Sequence, residues 1–356
     1  MRILNVVGSS PPEACGVGDF VYSLSSQLRR EGHEALLLTS RFPTSAISED
    51  WVLRNVEAWG GGARDEFEAV IKQFRPEIIH VHFPSAGFAK TDGSALFSFL
   101  EGSGIPIVST LHEYPPPPDH SSHVSWMYLV RASAAITYVR PNYEAHLLNL
   151  LSDDQITMRI PSAPSLRRAS LSTSEEAEQK RKLHSQERRL VVTFGFNSES
   201  KRIDLLVDLI DFRRSKLLVI GPIGVAPDYM QKLVASISSK GGVPSDIFTG
   251  YLPPHEVSNL LRAADIACFL DEIGCGEWST SLMSAQAQGT YCLATSVSRQ
   301  GYVKEENTFY CLPSDVGTMR RVLSMMSYPK SSGYERSSWS EIATSLDCIY
   351  QKCTSR

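Results

Sequence analysis

The sequence predicts an α/β protein of two doubly wound domains, and three observations predict it. The chain has 356 residues, too many for one ordinary core and suited to two. Short runs rich in Val, Ile and Leu recur without polar alternation, as strands covered on both faces require. One polar stretch, residues 164–189, interrupts that rhythm, after which it resumes.

In chain order, "ILNVVG", "EALLLT", "EIIHVH", "IPIVSTL" and "AAITYV" are the strands of a first domain, residues 1–163. Between the first two, Phe20, Leu24 and Leu28 fall four apart on one helical face, and Gly32 supplies the stop. Such a βαβ opening implies a parallel sheet with right-handed crossovers. The interruption, "PSLRRASLSTSEEAEQKRKLHSQERR", reads as a linker containing a partly helical stretch. "LVVTFG", "KLLVIG", "DIFTG", "DIACFL", "TYCLAT" and "TFYCL" then mark a second domain, residues 190–334. In its helix "PHEVSNLLRAAD", Pro254 sits early, where its missing N–H costs little. Within 335–356, Trp339, Ile342, Leu346 and Ile349 lie along one helical stripe. No short repeat is present, so the repetition is of whole domains. Ligands of open α/β sheets bind at the carboxyl edges of the strands, and the chemistry is expected there.

Hydrophobic residues make up 42% of the chain and charged residues 21%, an ordinary globular balance. The net charge of −4 gives no global positive field, so a nucleic-acid partner is not expected. "SLRRAS" and "QKRKLHSQERR" are locally basic and read as solvated linker before they read as an anionic-surface contact. The seven cysteines are odd in number and form no C-x-x-C pair, which suits a reducing cytoplasm better than secretion. "MRILNVVGSSPP" is too short an apolar run for a signal peptide, and no run reaches spanning length. The expectation is a cytoplasmic protein without a transmembrane segment that meets lipid, if at all, peripherally.

The candidate site residues follow the strands. Gly16 and Gly18 precede a helix with Asp19 near its start; close glycines there let a ligand approach backbone N–H groups, or simply form a capped turn. The G-x-G-x-x-G dinucleotide spacing is absent, which disfavours an NAD enzyme. His80 and His82 share one strand face, and His112 and Glu113 end another strand. Three histidines suggest zinc, yet no Cys cluster or second carboxylate completes a site, so hydrogen-bonded cleft histidines and no metal are expected. Lys201 follows a strand near a helix start, where a cation meets phosphate or is merely a surface lysine. Gly221, Pro222 and Gly224 form a turn at the same edge. In "GCGEWSTSLMSAQAQG", residues 274–289, Ser279, Thr280 and Ser281 open a helix closed by Gly289. Up to four N–H groups are unpaired at such an end, while an N-cap accounts for only one hydroxyl. Three hydroxyls after a Gly-rich loop raise the prospect of a phosphate seat.

Taken in order, "LRREGHEALLLT", "PEIIHVHFP", "IPIVSTLHE", "TFGFNSESKRIDLL", "FTGYLPPHEVSNLLRAAD", "SLMSAQAQGTYCLAT" and "SWSEIATSLDCIY" resemble the retaining family-four glycosyltransferases of the GT-B fold, over nearly the whole chain. The resemblance implies two facing Rossmann-like domains, with the last helix crossing back to the first. It implies a nucleotide-diphosphate sugar donor held mainly by the second domain, a sugar or lipid-linked acceptor held mainly by the first, and no cofactor. Gly16 and Gly18 match the loop near the donor diphosphate and the acceptor, and His112 matches the histidine near the transferred sugar. Asp19, His82 and Glu113 fall on the acceptor side. Lys201 matches the lysine on the leaving diphosphate, and Ser279, Thr280 and Ser281 the seat of the distal phosphate, with Gly221 at the same edge.

Two departures stand out against that pattern. The family's usual Arg, five residues before the Lys, is Phe196 here, leaving Arg202 as a replacement cation. The family's two glutamates fall on Gly276 and Ser284, so Glu277 stands one residue late; it is expected on sugar hydroxyls, with Ser284 a weak ribose contact. Loops 42–64, with Trp51 and Trp59, and 83–95 either shape the acceptor site or cover the first sheet. The rivals are a GT-B epimerase, a phosphorylase, and a catalytically weak or silent nucleotide-sugar-binding subunit.

Overall fold

The structure, a computed structural model, describes residues 1–13, 15–41, 49–88, 94–183 and 188–355. The chain divides into two compact units, Met1–Ser162 with Ser337–Arg356, and Ala163–Arg336.

The first unit contains β1 (Arg2–Val6), α1 (Gly16–Arg30), β2 (Glu34–Ser40), β3 (Val52–Val56), α2 (Arg64–Phe74), β4 (Ile78–Phe83), α3 (Ser94–Gly102), β5 (Ile107–Leu111), α4 (His123–Ala132), β6 (Ala135–Tyr138), α5 (Glu144–Leu147) and β7 (Ile156–Arg159). Its strands pair in parallel in the order β3-β2-β1-β4-β5-β6-β7. β4 is buried along its whole length, which explains its unbroken apolar run. α1 buries Phe20, Leu24 and Leu28, and ends where Gly32 takes φ +92° and the His33 amide reaches back to the Leu28 carbonyl. β3 and β7 were not expected; both are partly exposed edge strands of mixed polarity.

The second unit contains α6 (Thr173–Lys182), β8 (Arg189–Phe194), α7 (Ile203–Leu209), β9 (Ser215–Ile220), α8 (Pro227–Ser239), β10 (Phe248–Gly250), α9 (Pro254–Ala263), β11 (Ile266–Phe269), α10 (Thr280–Ala287), β12 (Tyr291–Thr295), β13 (Gly301–Val303), β14 (Thr308–Cys311) and α11 (Val316–Leu323). The sheet order is β10-β9-β8-β11-β12-β14-β13, parallel except for the β13–β14 edge. Residues 164–182, expected as linker, pack onto this unit. Leu166 is buried in its core, the Ala169 amide donates to Gln288 Oε1 at 2.7 Å, and Lys180 pairs with Asp265 at 2.5 Å. A capping box of Ser172 and Glu175 starts α6.

The chain then returns to the first unit as α12 (Trp339–Thr354), begun by a second capping box, Ser338 with Glu341. Ile342, Leu346 and Ile349 are buried as the stripe required, and Trp339 meets Phe20 edge-on at 5.1 Å. Among the described residues, no helix is long and apolar enough to cross a membrane, and no group of three or more His, Cys, Asp or Glu side chains is placed to hold a metal ion.

Candidate active site

In the first unit the turn after β1 lies directly on α1. A Cβ on Gly18 would stand 2.4 Å from the Ser9 carbonyl oxygen, so only glycine fits; at Gly16 no atom lies within 4 Å. The two expected glycines therefore differ: Gly18 closes the packing, and Gly16 leaves the exposed helix entrance open. Asp19, in the first turn of α1, is exposed, as is Glu113. A second close pair was not foreseen. A Cβ on Gly87 would come within 2.0 Å of the Gly8 carbonyl oxygen, which locks the turns after β1 and β4 together.

The histidines form a buried polar network. His80 Nδ1 meets Tyr350 Oη at 2.6 Å and its Nε2 meets Thr110 Oγ1 at 2.7 Å, with Thr110 reaching Thr137 at 2.6 Å. His82 Nε2 faces Asn5 Oδ1 at 3.5 Å and its Nδ1 faces His112 Nε2 at 3.3 Å, while Asn5 Nδ2 donates to Ser25 Oγ at 3.0 Å. Burial holds His80 down at about 3, with a smaller push from His112, and drives His82 well below the ordinary range by the same cause, so both rings are neutral. A carboxamide oxygen only accepts, so His82 carries its proton on Nε2 and its Nδ1 accepts from His112 Nε2–H. His112 is thereby left with a free acceptor on Nδ1 at the end of β5. Its half-buried ring is also pushed down by desolvation.

This corrects the expectation for His82. It has no exposed surface and cannot touch an acceptor; its Nδ1 faces His112 instead. Trp59 is likewise core, against Phe67 and Phe88 and donating to Ser40 Oγ at 2.6 Å; Trp51 lies tilted against Tyr22, with ring centroids 5.1 Å apart. Residues 42–48 and 89–93 of the two candidate acceptor loops lie outside the described residues.

In the second unit, the turns after β8, β9 and β11 converge with the start of α10. Gly195 takes φ +134°, and a Cβ there would strike Ser281 Oγ at 2.6 Å; Gly221, at φ +108°, would strike the Gly195 carbonyl at 2.3 Å. No side chain caps α10, and the amides of Ser281 and Leu282 donate to no group among the described residues. The hydroxyls of Ser279, Thr280 and Ser281 are therefore not consumed in capping. Gly289 ends the helix at φ +72°.

Lys201 belongs to a 3-10 turn between β8 and α7, and its Nζ lies 2.8 and 2.9 Å from the two carboxylate oxygens of Asp271. Asp271 also accepts from the Cys275 thiol at 3.1 Å. Sequence reasoning missed Asp271; its one signal was an acid immediately after a strand. Phe196 is exposed, with its ring over Gly224, where a Cβ would fall 2.2 Å from the ring.

Three further expected residues have partners within the unit, and for Ser284 this corrects the expectation. Arg202 donates one guanidinium N–H to the Pro313 carbonyl at 2.6 Å. Ser284 is fully buried, donates to the Thr280 carbonyl at 2.7 Å and accepts from the Ser165 amide at 3.1 Å, so no ribose reaches it. Glu277 pairs with Arg336. Arg336 also holds Glu306 at 2.8 Å, and Glu306 in turn takes Arg299 at 2.7 Å and Tyr310 Oη at 2.5 Å. These bonds keep the buried Glu306 below the usual carboxylate range, although burial by itself pushes it up. Gly276 lies under the Trp278 ring, where a Cβ would be 2.0 Å away.

Two parallel-dominated α/β sheets with ligand-type turns at their carboxyl edges define a GT-B protein, and comparison with known proteins agrees. The family description "Glycosyltransferase Family 4" matches residues 14–158, and "Glycosyl transferases group 1" matches residues 174–316. The chain belongs to the GT-B glycosyltransferases of this family-4 type. Solved structures similar to it include sucrose-phosphate synthase from Thermosynechococcus elongatus, with TM-score 0.72, 14% identity and 99% of each chain covered. Anabaena HepE in complex with UDP and glucose aligns with TM-score 0.69 and 15% identity over 99% of this chain and 98% of that one. UDP-GlcNAc 2-epimerase from Methanocaldococcus jannaschii aligns with TM-score 0.59 and 10% identity over 99% and 100%. No curated protein matches the chain.

Proposed function

We propose that this glycosyltransferase moves a hexosyl group, with retention, from a nucleotide-diphosphate sugar to an acceptor hydroxyl on a glycan, glycolipid or small glycoside, without a metal or other cofactor. The observation that carries the reading is the uncapped start of α10 beside Lys201 at one sheet edge. Unpaired amides and a cation are what a diphosphate needs as it gathers charge. The complex of HepE with UDP and glucose supports a donor of this class.

In the proposed reaction the bond from the anomeric carbon to the diphosphate oxygen breaks while a bond to the acceptor oxygen forms on the same face. The acceptor's proton passes to the leaving phosphate oxygen, and a nucleoside diphosphate departs. Lys201 and the Ser281 and Leu282 amides stabilise the charge of the leaving group. His112 Nδ1 accepts from a hydroxyl of the transferred sugar. Glu277, oriented by Arg336, takes another sugar hydroxyl.

A second reading, a weak or silent binding subunit, is favoured by one arrangement: Phe196 stands where the family has Arg, and Lys201 is already paired. Thermal unfolding with UDP-, GDP-, ADP- and dTDP-sugars tests binding, since a ligand of the native state raises the melting point. One of them is expected to do so at millimolar concentration, and no shift with any would overturn the donor assignment. With the binding donor in hand, product analysis separates the readings. Acceptor-dependent release of nucleoside diphosphate supports transfer. Conversion of the donor without acceptor indicates an epimerase, dependence on inorganic phosphate a phosphorylase, and binding without turnover a silent subunit.

A further inference from the structure

We propose that Asp271 is an electrostatic lock on the diphosphate seat: it neutralises Lys201 in the empty protein and rejects free phosphate and pyrophosphate. The inference rests on the seat proposed above. Both Asp271 oxygens lie within 2.9 Å of Lys201 Nζ, so the positive charge meant for a phosphate is already spent on a carboxylate. The carboxylate is the fixed member of the pair. Its side chain is only 11% exposed, the Cys275 thiol donates to it, and the Thr295 hydroxyl holds its backbone carbonyl at 2.7 Å. Lys201 is the mobile member, 39% exposed on a four-carbon stem that can swing.

The surroundings do not offset this loss. Phe196 adds no charge, the Arg202 guanidinium donates to the Pro313 carbonyl, and Arg336 is committed to Glu277 and Glu306. An inorganic anion arriving at α10 meets a neutral ion pair whose acid faces the same edge. It gains the helix amides but must displace Asp271 from Lys201 without help. A nucleotide sugar brings base, ribose and sugar contacts as well, and that added binding energy can draw Lys201 across to the phosphate. Asp271 is thus a selectivity residue, acting through Lys201.

The test is calorimetric titration with inorganic pyrophosphate and, separately, UDP, in chelator, on the full chain. Wild type, Asp271→Asn, Lys201→Met and the double variant are compared. Asp271→Asn is expected to bind pyrophosphate about tenfold or more tightly than wild type, with the gain abolished in the double variant. A gain of affinity is not something a merely structural defect produces. If Asp271→Asn does not fold, Asp271→Ser, still able to accept from the thiol, carries the same test. Equal or weaker pyrophosphate binding by the Asp271 variant would overturn the lock, as would a gain that survives loss of Lys201; either result leaves the seat standing. Absence of both pyrophosphate and UDP binding in every protein would remove the seat, and the lock with it.

Discussion

Both units lay seven strands on one plan, with the first strand third from an edge and its neighbours added outward, yet they load the carboxyl edge differently. The first unit places its polar groups inside. Asn5, His80, His82, Thr110 and Thr137 are all buried, and each hydrogen-bonds within the unit. The second unit has buried polar groups too, Ser284 and Glu306 among them, but at its carboxyl edge Lys201 is partly exposed and no side chain caps α10. A buried network has to satisfy itself, because each orphaned group costs about 1–3 kcal/mol. An open edge has no such obligation and can hold its donors for a ligand. One fold plan therefore carries a self-satisfied polar network at the edge of one unit and unpaired donors at the edge of the other.

The contrast can be broken most sharply at Lys201. Lys201→Met is expected to lower transfer about 10²–10³-fold, in line with loss of one charge-stabilising group. The melting point should fall as well, because the largely buried Asp271 carboxylate loses its counter-ion, and transfer within a few-fold of wild type would refute the seat.

Acid should separate the units next. A histidine buried neutral has a folded value below its unfolded one, so the unfolded chain binds protons that the folded chain refuses. Stability contributed by His80 is intact above its ordinary 6.5 and drains as pH falls toward about 3. At pH 5 that is roughly 2 kcal/mol, and His82 adds in the same direction. Among the described residues, the second unit has only the exposed His255. Calorimetry at pH 5 should show the first unit unfolding ahead of the second; transitions that move together would break the comparison.

The turn glycines give a smaller effect. Gly18→Ala forces a Cβ against the Ser9 carbonyl, which is backbone and cannot swing aside, at about 1–3 kcal/mol. Gly16→Ala should stay within about 0.5 kcal/mol. Urea unfolding of the pair checks both, and equal losses would show that the loop relaxes.

Smallest is Glu277→Gln. Its carboxylate is 44% exposed, so losing the Arg336 pair should cost under about 1 kcal/mol. Transfer is expected to fall more than stability does, and undiminished transfer in the kinetic assay would remove Glu277 from the sugar site.

The fold was legible where burial on both faces forces an unbroken apolar run, as in β4, and where Phe20, Leu24 and Leu28 share a stripe. Edge strands β3 and β7 were not, because partial exposure permits Arg, Asn and Thr there. Residues 164–182 looked like linker because their composition is polar; what docks them is Leu166 together with bonds to Gln288 and Asp265. At the site, residue type was visible and direction was not. His82 and Ser284 have suitable chemistry but point inward. Asp271 meets Lys201 from 70 positions away in the chain, a distance no local pattern spans.

The return of α12 gives the first unit a dependence on the order of synthesis. Tyr350 is the partner of His80, and Ile342, Leu346 and Ile349 are buried only once that helix has docked. A ribosome delivers residues 163–336 before it delivers α12. The emerging first unit thus waits, with an uncovered stripe and a half-satisfied histidine, through translation of the whole second unit. A nascent chain is most vulnerable to aggregation in such an interval. The unit that residues 1–162 begin is finished only by residues 337–356.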